Sequence, residues 1–209
     1  MANDTPFNPL ETKFIGRNIV EAFVARPVTQ LPPPAFQGVG IYGIYYVGDH
    51  PLYGPIATRN RNGRFEMPIY VGKAVTPGTR RGILNVNSPA TNALHVRLRE
   101  HASSIRMAED LQIEDFYCRY LLLEDVWIPA GEAWLINEFK PIWNSIIDGF
   151  GNHPPGRGRE AQRRSEWDVL HPGRASATQV QSAPARREIL LARIDEYWSR
   201  FQTDANENI

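Results

Sequence analysis

Residues 39–47, VGIYGIYYV, constrain the chain more than any other segment. The run is β-branched and aromatic, which fits a pleated strand. Successive side chains on a strand point to opposite faces. Tyr42 and Tyr45, three positions apart, must therefore lie on opposite sides of the sheet. Residues 67–72, MPIYVG, read as a second strand pairing antiparallel with the first, and residues 116–123 as a third. Helical patterns cover residues 14–25, about 91–107, a segment starting near Pro129, and roughly 185–200. A proline suits a first helical turn, where its missing N–H is not needed. The expected fold is mixed α/β (α+β), with a central antiparallel three-stranded sheet flanked by helices. The expected division is an N-terminal extension over 1–36, a domain over 37–148 with insertions near 49–66 and 75–90, and a C-terminal extension over 149–209.

Composition enters as a set of exclusions. One cysteine, Cys118, excludes an intrachain disulfide and a cysteine-based zinc site, and its strand context suggests a small core residue. No apolar run is long enough for a bilayer, and MANDTPFNPLETK lacks the basic-then-apolar order of a signal peptide. A cytoplasmic protein with no membrane partner is expected. The 23 basic and 23 acidic side chains cancel, but they are not mixed evenly. Between Ala57 and Arg106 stand Arg59, Arg61, Arg64, Lys73, Arg80, Arg81, Arg97, Arg99 and Arg106, against only Glu66 and Glu100. Arg157, Arg159, Arg163, Arg164 and Arg174 form a second cluster. Such a distribution suits a polyanion meeting one face, and arginine can fork onto phosphates or guanine edges.

Two helices carry polar residues where apolar ones are expected. Leu94, Leu98 and Ile105 mark a stripe that also contains Arg97 and His101. In the next helix Glu132 lies one turn before Leu135, Ile136 and Phe139. Burying such groups costs desolvation unless a partner requires them. One account is local, with Arg97 and Glu132 as a buried ion pair and His101 as a satisfied core histidine. The other is chemical. Phosphodiester hydrolysis needs a base for water, positive charge for the transition state and help for the leaving oxygen. One carboxylate can hold a single Mg²⁺ (or Mn²⁺), and an arginine can clamp nonbridging oxygens.

In order, these elements resemble the GIY-YIG nuclease superfamily. Gly40-Ile41-Tyr42 followed by Ile44 resembles the GIY element, and Tyr70-Val71-Gly72-Lys73-Ala74 the YIG element. Leu94, Arg97, Leu98 and His101 resemble the following helix, and Glu132 through Asn144 the metal-binding helix with its terminal asparagine. The resemblance implies a small GIY-YIG-type domain in which Tyr42 is the general base or positions the attacking water. Tyr70 would support the phosphate or leaving group, and Lys73 would tune Tyr42 or contact phosphate. Arg97 would stabilise the transition state and His101 would hydrogen-bond a tyrosine hydroxyl or the nucleophile. Glu132 would bind the metal and Asn144 would brace the site. Of the two GIY tripeptides, the one ending at Tyr42 keeps the family register, so Tyr42 is expected to face the helix of Arg97 and His101.

Two departures matter. About two dozen residues separate the tyrosine motifs, and residues 75–90 form a second insertion. Both insertions and the 151–174 segment resemble those of type II restriction endonucleases cutting a GC-rich palindrome such as CCGCGG. That resemblance implies double-stranded DNA as partner and a homodimer, since a palindrome has two equivalent strands. The alternatives are a structure-selective repair or homing-type nuclease, a non-catalytic DNA-binding module, and a globular protein whose tyrosines are merely core.

Overall fold

The computed structural model describes residues 12–76, 91–151, 164–174 and 184–207. The expected central strand is β2, Gly40–Tyr46, and every one of its residues is buried. It pairs antiparallel with β3, Tyr70–Ala74, and with β4, Phe116–Leu122. A two-residue strand, β1, Thr29–Gln30, adds to β4 and completes the sheet order β1-β4-β2-β3. The sheet therefore has four strands rather than three. The fourth is too short for any alternation to show in sequence. The second strand begins at Tyr70 rather than residue 67, leaving Met67, Pro68 and Ile69 as the approach to it.

Alternation along β2 builds two apolar layers. Tyr42, Ile44 and Tyr46 enter the larger one, beneath α3, Ala93–Met107. Leu94, Leu98, Ala102 and Ile105 of α3 are fully buried there, with Cys118 of β4. Ile41 and Val71 enter the smaller layer with Ile19 and Phe23 of α1, Thr12–Val24, and Leu135 of α4, Ile128–Phe139. The proline of α4 sits in its first turn, and Lys140 closes it in the left-handed region at φ 43° before Pro141. The chain then forms a single turn, α5, Ile142–Ser145.

The first insertion is structured. A 3₁₀ turn, Pro51–Tyr53, leads into α2, Gly54–Asn60; Tyr53 of the turn and Ile56 and Ala57 of the helix are buried in the larger core. The Asn60 amide ties off its base by donating to the carbonyls of Tyr46, at 3.0 Å, and Met67, at 2.8 Å. The segment after residue 148 also joins the domain. Phe150, Trp167 and Leu170 of the short helix α6, Glu166–Leu170, and Leu190, Ile194 and Trp198 of α7, Pro184–Glu207, all belong to the larger core. Among the described residues no helix is long and apolar enough to cross a membrane.

Candidate active site

The site lies at the free edge of the sheet. β3 is the edge strand, so residues from both layers reach one opening around it. Tyr42 lies opposite Gly72 in the register. A Cβ at Gly72 would stand 2.4 Å from the Tyr42 hydroxyl, so the glycine of Tyr70-Val71-Gly72 is the space that this hydroxyl occupies. Tyr42 Oη lies 2.6 Å from His101 Nε2, and both side chains are buried. Tyr45 points into the opposite layer, where Arg119 Nη1 donates to its hydroxyl at 3.2 Å.

Arg97 is one turn before His101 on α3 and lies within hydrogen-bonding reach of the Tyr42 and Tyr70 hydroxyls. Its guanidinium also donates to Glu100 at 2.9 Å and to the Gly151 carbonyl. Lys73, exposed on β3, forms an ion pair with the half-buried Glu132 of α4. The expected alternative, a buried Arg97–Glu132 pair, is therefore replaced by two separate partners for these charges. Tyr42, Tyr70, Lys73, Arg97, Glu100 and Glu132 line one open cleft of about 590 Å³. Asn144, carried by α5, does not enter the cleft. Its amide donates to the Val71 carbonyl and accepts from the Val71 N–H, each at 2.8 Å, and so holds β3 beside Tyr70.

Burial holds the Tyr42 proton well above the ordinary phenol value, the neighbouring Tyr70 adds to this, and Arg97 only partly offsets it. Burial raises Tyr70 in the same direction, again opposed by Arg97. For Arg97 burial acts to lower the value, but Tyr42, Glu100 and Tyr70 outweigh it, so the guanidinium stays charged. Tyr42 at neutral pH is therefore a phenol, and its hydroxyl shares a hydrogen bond with His101 Nε2. The oxygen donors facing the cleft include the carboxylates of Glu132 and Glu100, the latter paired with Arg97, and the two phenols of Tyr42 and Tyr70. Hard oxygen donors of this kind suit Mg²⁺ or Mn²⁺, which keep water and phosphate oxygens in their remaining positions.

The aromatic floor of the site went unnoticed in the sequence. Phe150 stacks on His101 with ring centroids 4.6 Å apart and meets Tyr70 edge-on at 5.0 Å. Sequence distance hides this contact, and the only local signal is an aromatic residue between Gly149 and Gly151.

The basic residues separate into three groups. Arg174 is buried, forks onto Asp168 at 2.5 and 2.8 Å and lies over the Trp167 ring. It is a core ion pair and not a DNA contact, which corrects the reading from charge clustering. Arg61 donates to the Val47 carbonyl at 2.8 Å and pairs with Asp49, while Arg64 is exposed, and Arg59 and Arg164 are half-buried. Arg80, Arg81, Arg157, Arg159 and Arg163 lie outside the described residues.

A second polar cluster joins His50, Asp110 and His171, whose ligand-type atoms all lie within 4.8 Å of one another. His50 Nδ1 accepts from the Leu52 N–H at 3.3 Å, which puts the His50 proton on Nε2, facing Asp110. Trp143 donates to Tyr53 Oη at 3.0 Å, Tyr53 Oη shares a 2.5 Å hydrogen bond with His171 Nε2, and His171 Nδ1 faces Asp110 at 3.0 Å. Asp110 thus lies between the two imidazoles, and the cluster forms a hydrogen-bonded clasp between the first insertion, the end of α3 and the C-terminal segment.

A small antiparallel sheet that brings two tyrosines, a histidine, an arginine and a carboxylate to one edge defines the GIY-YIG class of nucleases. Within that class, residues 34–198 match the Eco29kI GIY-YIG domain, and the chain belongs to this family of restriction endonucleases. Comparison with curated proteins returns no match.

Proposed function

We propose that this nuclease is a type II restriction endonuclease that hydrolyses both strands of double-stranded DNA at a short GC-rich palindrome, CCGCGG being the first candidate. The observation that carries the mechanism is the 2.6 Å contact between Tyr42 Oη and His101 Nε2 at the wall of a cleft that also holds Arg97 and Glu132. Because Tyr42 keeps its own proton at neutral pH, a relay suits the site better than a standing phenolate. The attacking water gives its proton to Tyr42 Oη as the Tyr42 proton passes to His101 Nε2. The new P–O bond forms as the bond to the leaving oxygen breaks. Arg97 holds the nonbridging oxygens, and Tyr70 supports the phosphate from the facing strand. Glu132 would hold a single Mg²⁺ (or Mn²⁺), which when bound adds positive charge at the phosphate and leaving oxygen. Lys73, displaced from Glu132 in that state, would be released towards phosphate. Asn144 braces the strand beneath.

Arg59, Arg64 and Arg164, together with Arg80, Arg81, Arg157, Arg159 and Arg163, are the proposed DNA contacts. Two copies related by a two-fold axis would address the two strands, in the bacterial cytoplasm. Digestion of DNA of known sequence with Mg²⁺, followed by end mapping, tests this reading. Discrete ends within one palindrome are expected, with Glu132→Ala binding DNA but leaving it uncut. Cutting at junctions or nicks irrespective of sequence would overturn the restriction reading, and a fully active Glu132→Ala would overturn the assignment of the carboxylate.

A further inference from the structure

Residues 149–151 stand between the active site and a buried ion pair. On one side, the Gly151 carbonyl accepts from Arg97, and the Phe150 ring lies flat on His101. A Cβ at Gly151 would stand 2.3 Å from the Tyr70 hydroxyl, so a glycine here sets where that hydroxyl rests. On the other side, Arg174 donates to the Gly149 carbonyl at 3.1 Å and the Phe150 carbonyl at 3.4 Å. Arg174 is itself fixed by its fork onto Asp168, which Ser165 Oγ holds at 2.6 Å. Asp168 and Arg174 are 6% and 5% exposed, so neither is placed to meet DNA.

A guanidinium is costly to bury, and a buried pair is often replaceable by apolar residues without loss of stability. What an apolar pair could not replace is the set of carbonyl contacts that aim residues 149–151. We infer that Asp168 and Arg174 are positioning residues of the nuclease site, acting through the Gly149–Gly151 backbone on Arg97, His101 and Tyr70. The C-terminal segment then backs the catalytic side chains from behind the cleft, supplied late in the chain. Gly151 holds Arg97 and makes room for Tyr70, while Phe150 limits the tilt of His101. For its activity readout the inference rests on the nuclease reading above.

The test is the double variant Asp168→Leu/Arg174→Met, which keeps an apolar-filled core and removes the carbonyl contacts. Expected are a melting temperature near that of the parent, DNA affinity in Ca²⁺ within about twofold, and a single-turnover cleavage rate lower by on the order of a hundredfold, the scale of a small misplacement of catalytic groups. Tyrosine labelled with ¹³C at Cζ gives a readout independent of cleavage, with the Tyr70 signal identified by Tyr70→Phe and expected to move in the double variant. A folded double variant that cuts within twofold of the parent and leaves the Tyr70 signal in place would overturn the inference. Should the double variant not fold, Gly151→Ala decides the matter on the same two readouts, with loss of rate and a moved Tyr70 signal expected and parent values overturning it. Should the parent itself not cut DNA, the nuclease reading fails, and the Tyr70 signal alone still decides the positioning claim.

Discussion

Tyr42 and Tyr45 end the same tripeptide, three residues apart on one strand, yet they serve different layers of the molecule. Tyr42 shares a hydrogen bond with a histidine and opens onto the cleft. Tyr45 is packed edge-on against Phe65 with ring centroids 5.8 Å apart, beneath the Arg119 guanidinium 5.2 Å from its ring. Burial pushes its hydroxyl up to about 12, and Arg119 only partly opposes this. The phenol is the same group in both places. What differs is whether its partner can take a proton: a neutral imidazole can, whereas a guanidinium can only donate. Strand parity therefore decides which of two identical tripeptides places its tyrosine on the cleft.

The sharpest way to break this contrast is a pair of substitutions. Tyr42→Phe should lower single-turnover cleavage by about 10²–10⁴-fold, the usual scale for acid–base groups. Tyr45→Phe should stay within a few fold of the parent, and a larger loss from Tyr45→Phe than from Tyr42→Phe would reverse the assignment. On the Tyr45 layer the effect should appear as stability. Leu135 is fully buried there, so Leu135→Ala should cost about 2–5 kcal/mol in denaturant unfolding. A change under about 1 kcal/mol would mean that this layer is not a packed core. Asn144→Ala removes two hydrogen bonds to Val71 and should cost about 1–3 kcal/mol together with a loss of rate. A loss of neither would make the asparagine dispensable as a brace.

A pH titration of the melting temperature probes the clasp behind the Tyr42 layer. Burial pushes the His171 imidazole below its ordinary value, against the pull of Asp110. Burial acts to raise the Asp110 carboxyl, but hydrogen bonds from His171 and His50 outweigh it and hold it below the ordinary carboxylate range. Both folded values lie below the unfolded ones. Their contributions are therefore present above the unfolded values and are lost as pH falls, His171 from roughly 6.5 downwards and Asp110 only below about 4. The melting temperature should decline from pH 7 to pH 5 and decline more steeply in Asp110→Asn, because Asp110 opposes the downward shift of His171; a flat profile would remove His171 from this account. The smallest expected effect is at the exposed Arg17–Glu21 pair on α1, where Glu21→Ala should change stability by no more than about 0.5 kcal/mol.

The periodicity of α3 and the alternation of β2 made much of the site legible before any coordinates. Arg97 and His101 fall on the stripe of Leu94 and Leu98, parity put Tyr42 and Tyr45 on opposite faces, and the family register singled out Tyr42. The insertion over 49–66 was harder to read, because α2 is only seven residues long and gains its stability from burying Tyr53 and Ile56 rather than from its own pattern. Arg174 was misread for a related reason. Charge clustering along a sequence cannot distinguish a solvated arginine from one whose carboxylate partner lies six residues away in a buried turn. A signal was present: Ser165, three residues before Asp168, is a helix N-cap and accepts from the Asp168 N–H at 3.2 Å. Phe150 and Gly151 offered no such signal, since their partners on α3 are about fifty residues earlier in the chain.

The edge strand has one further consequence. β3 carries the tyrosine and the lysine of the site on the outermost position of the sheet, where free backbone groups would invite another chain to add on. The turn after Pro141 closes that opportunity. The Trp143 N–H donates to the Ile69 carbonyl at 3.0 Å, and the Asn144 amide satisfies both backbone groups of Val71. Over these residues α5 acts as a surrogate strand that no second molecule can displace without unseating Asn144. The same asparagine therefore covers the edge of β3 as well as holding the strand beside Tyr70, and its variants should be assayed for aggregation before any loss of cutting is ascribed to chemistry.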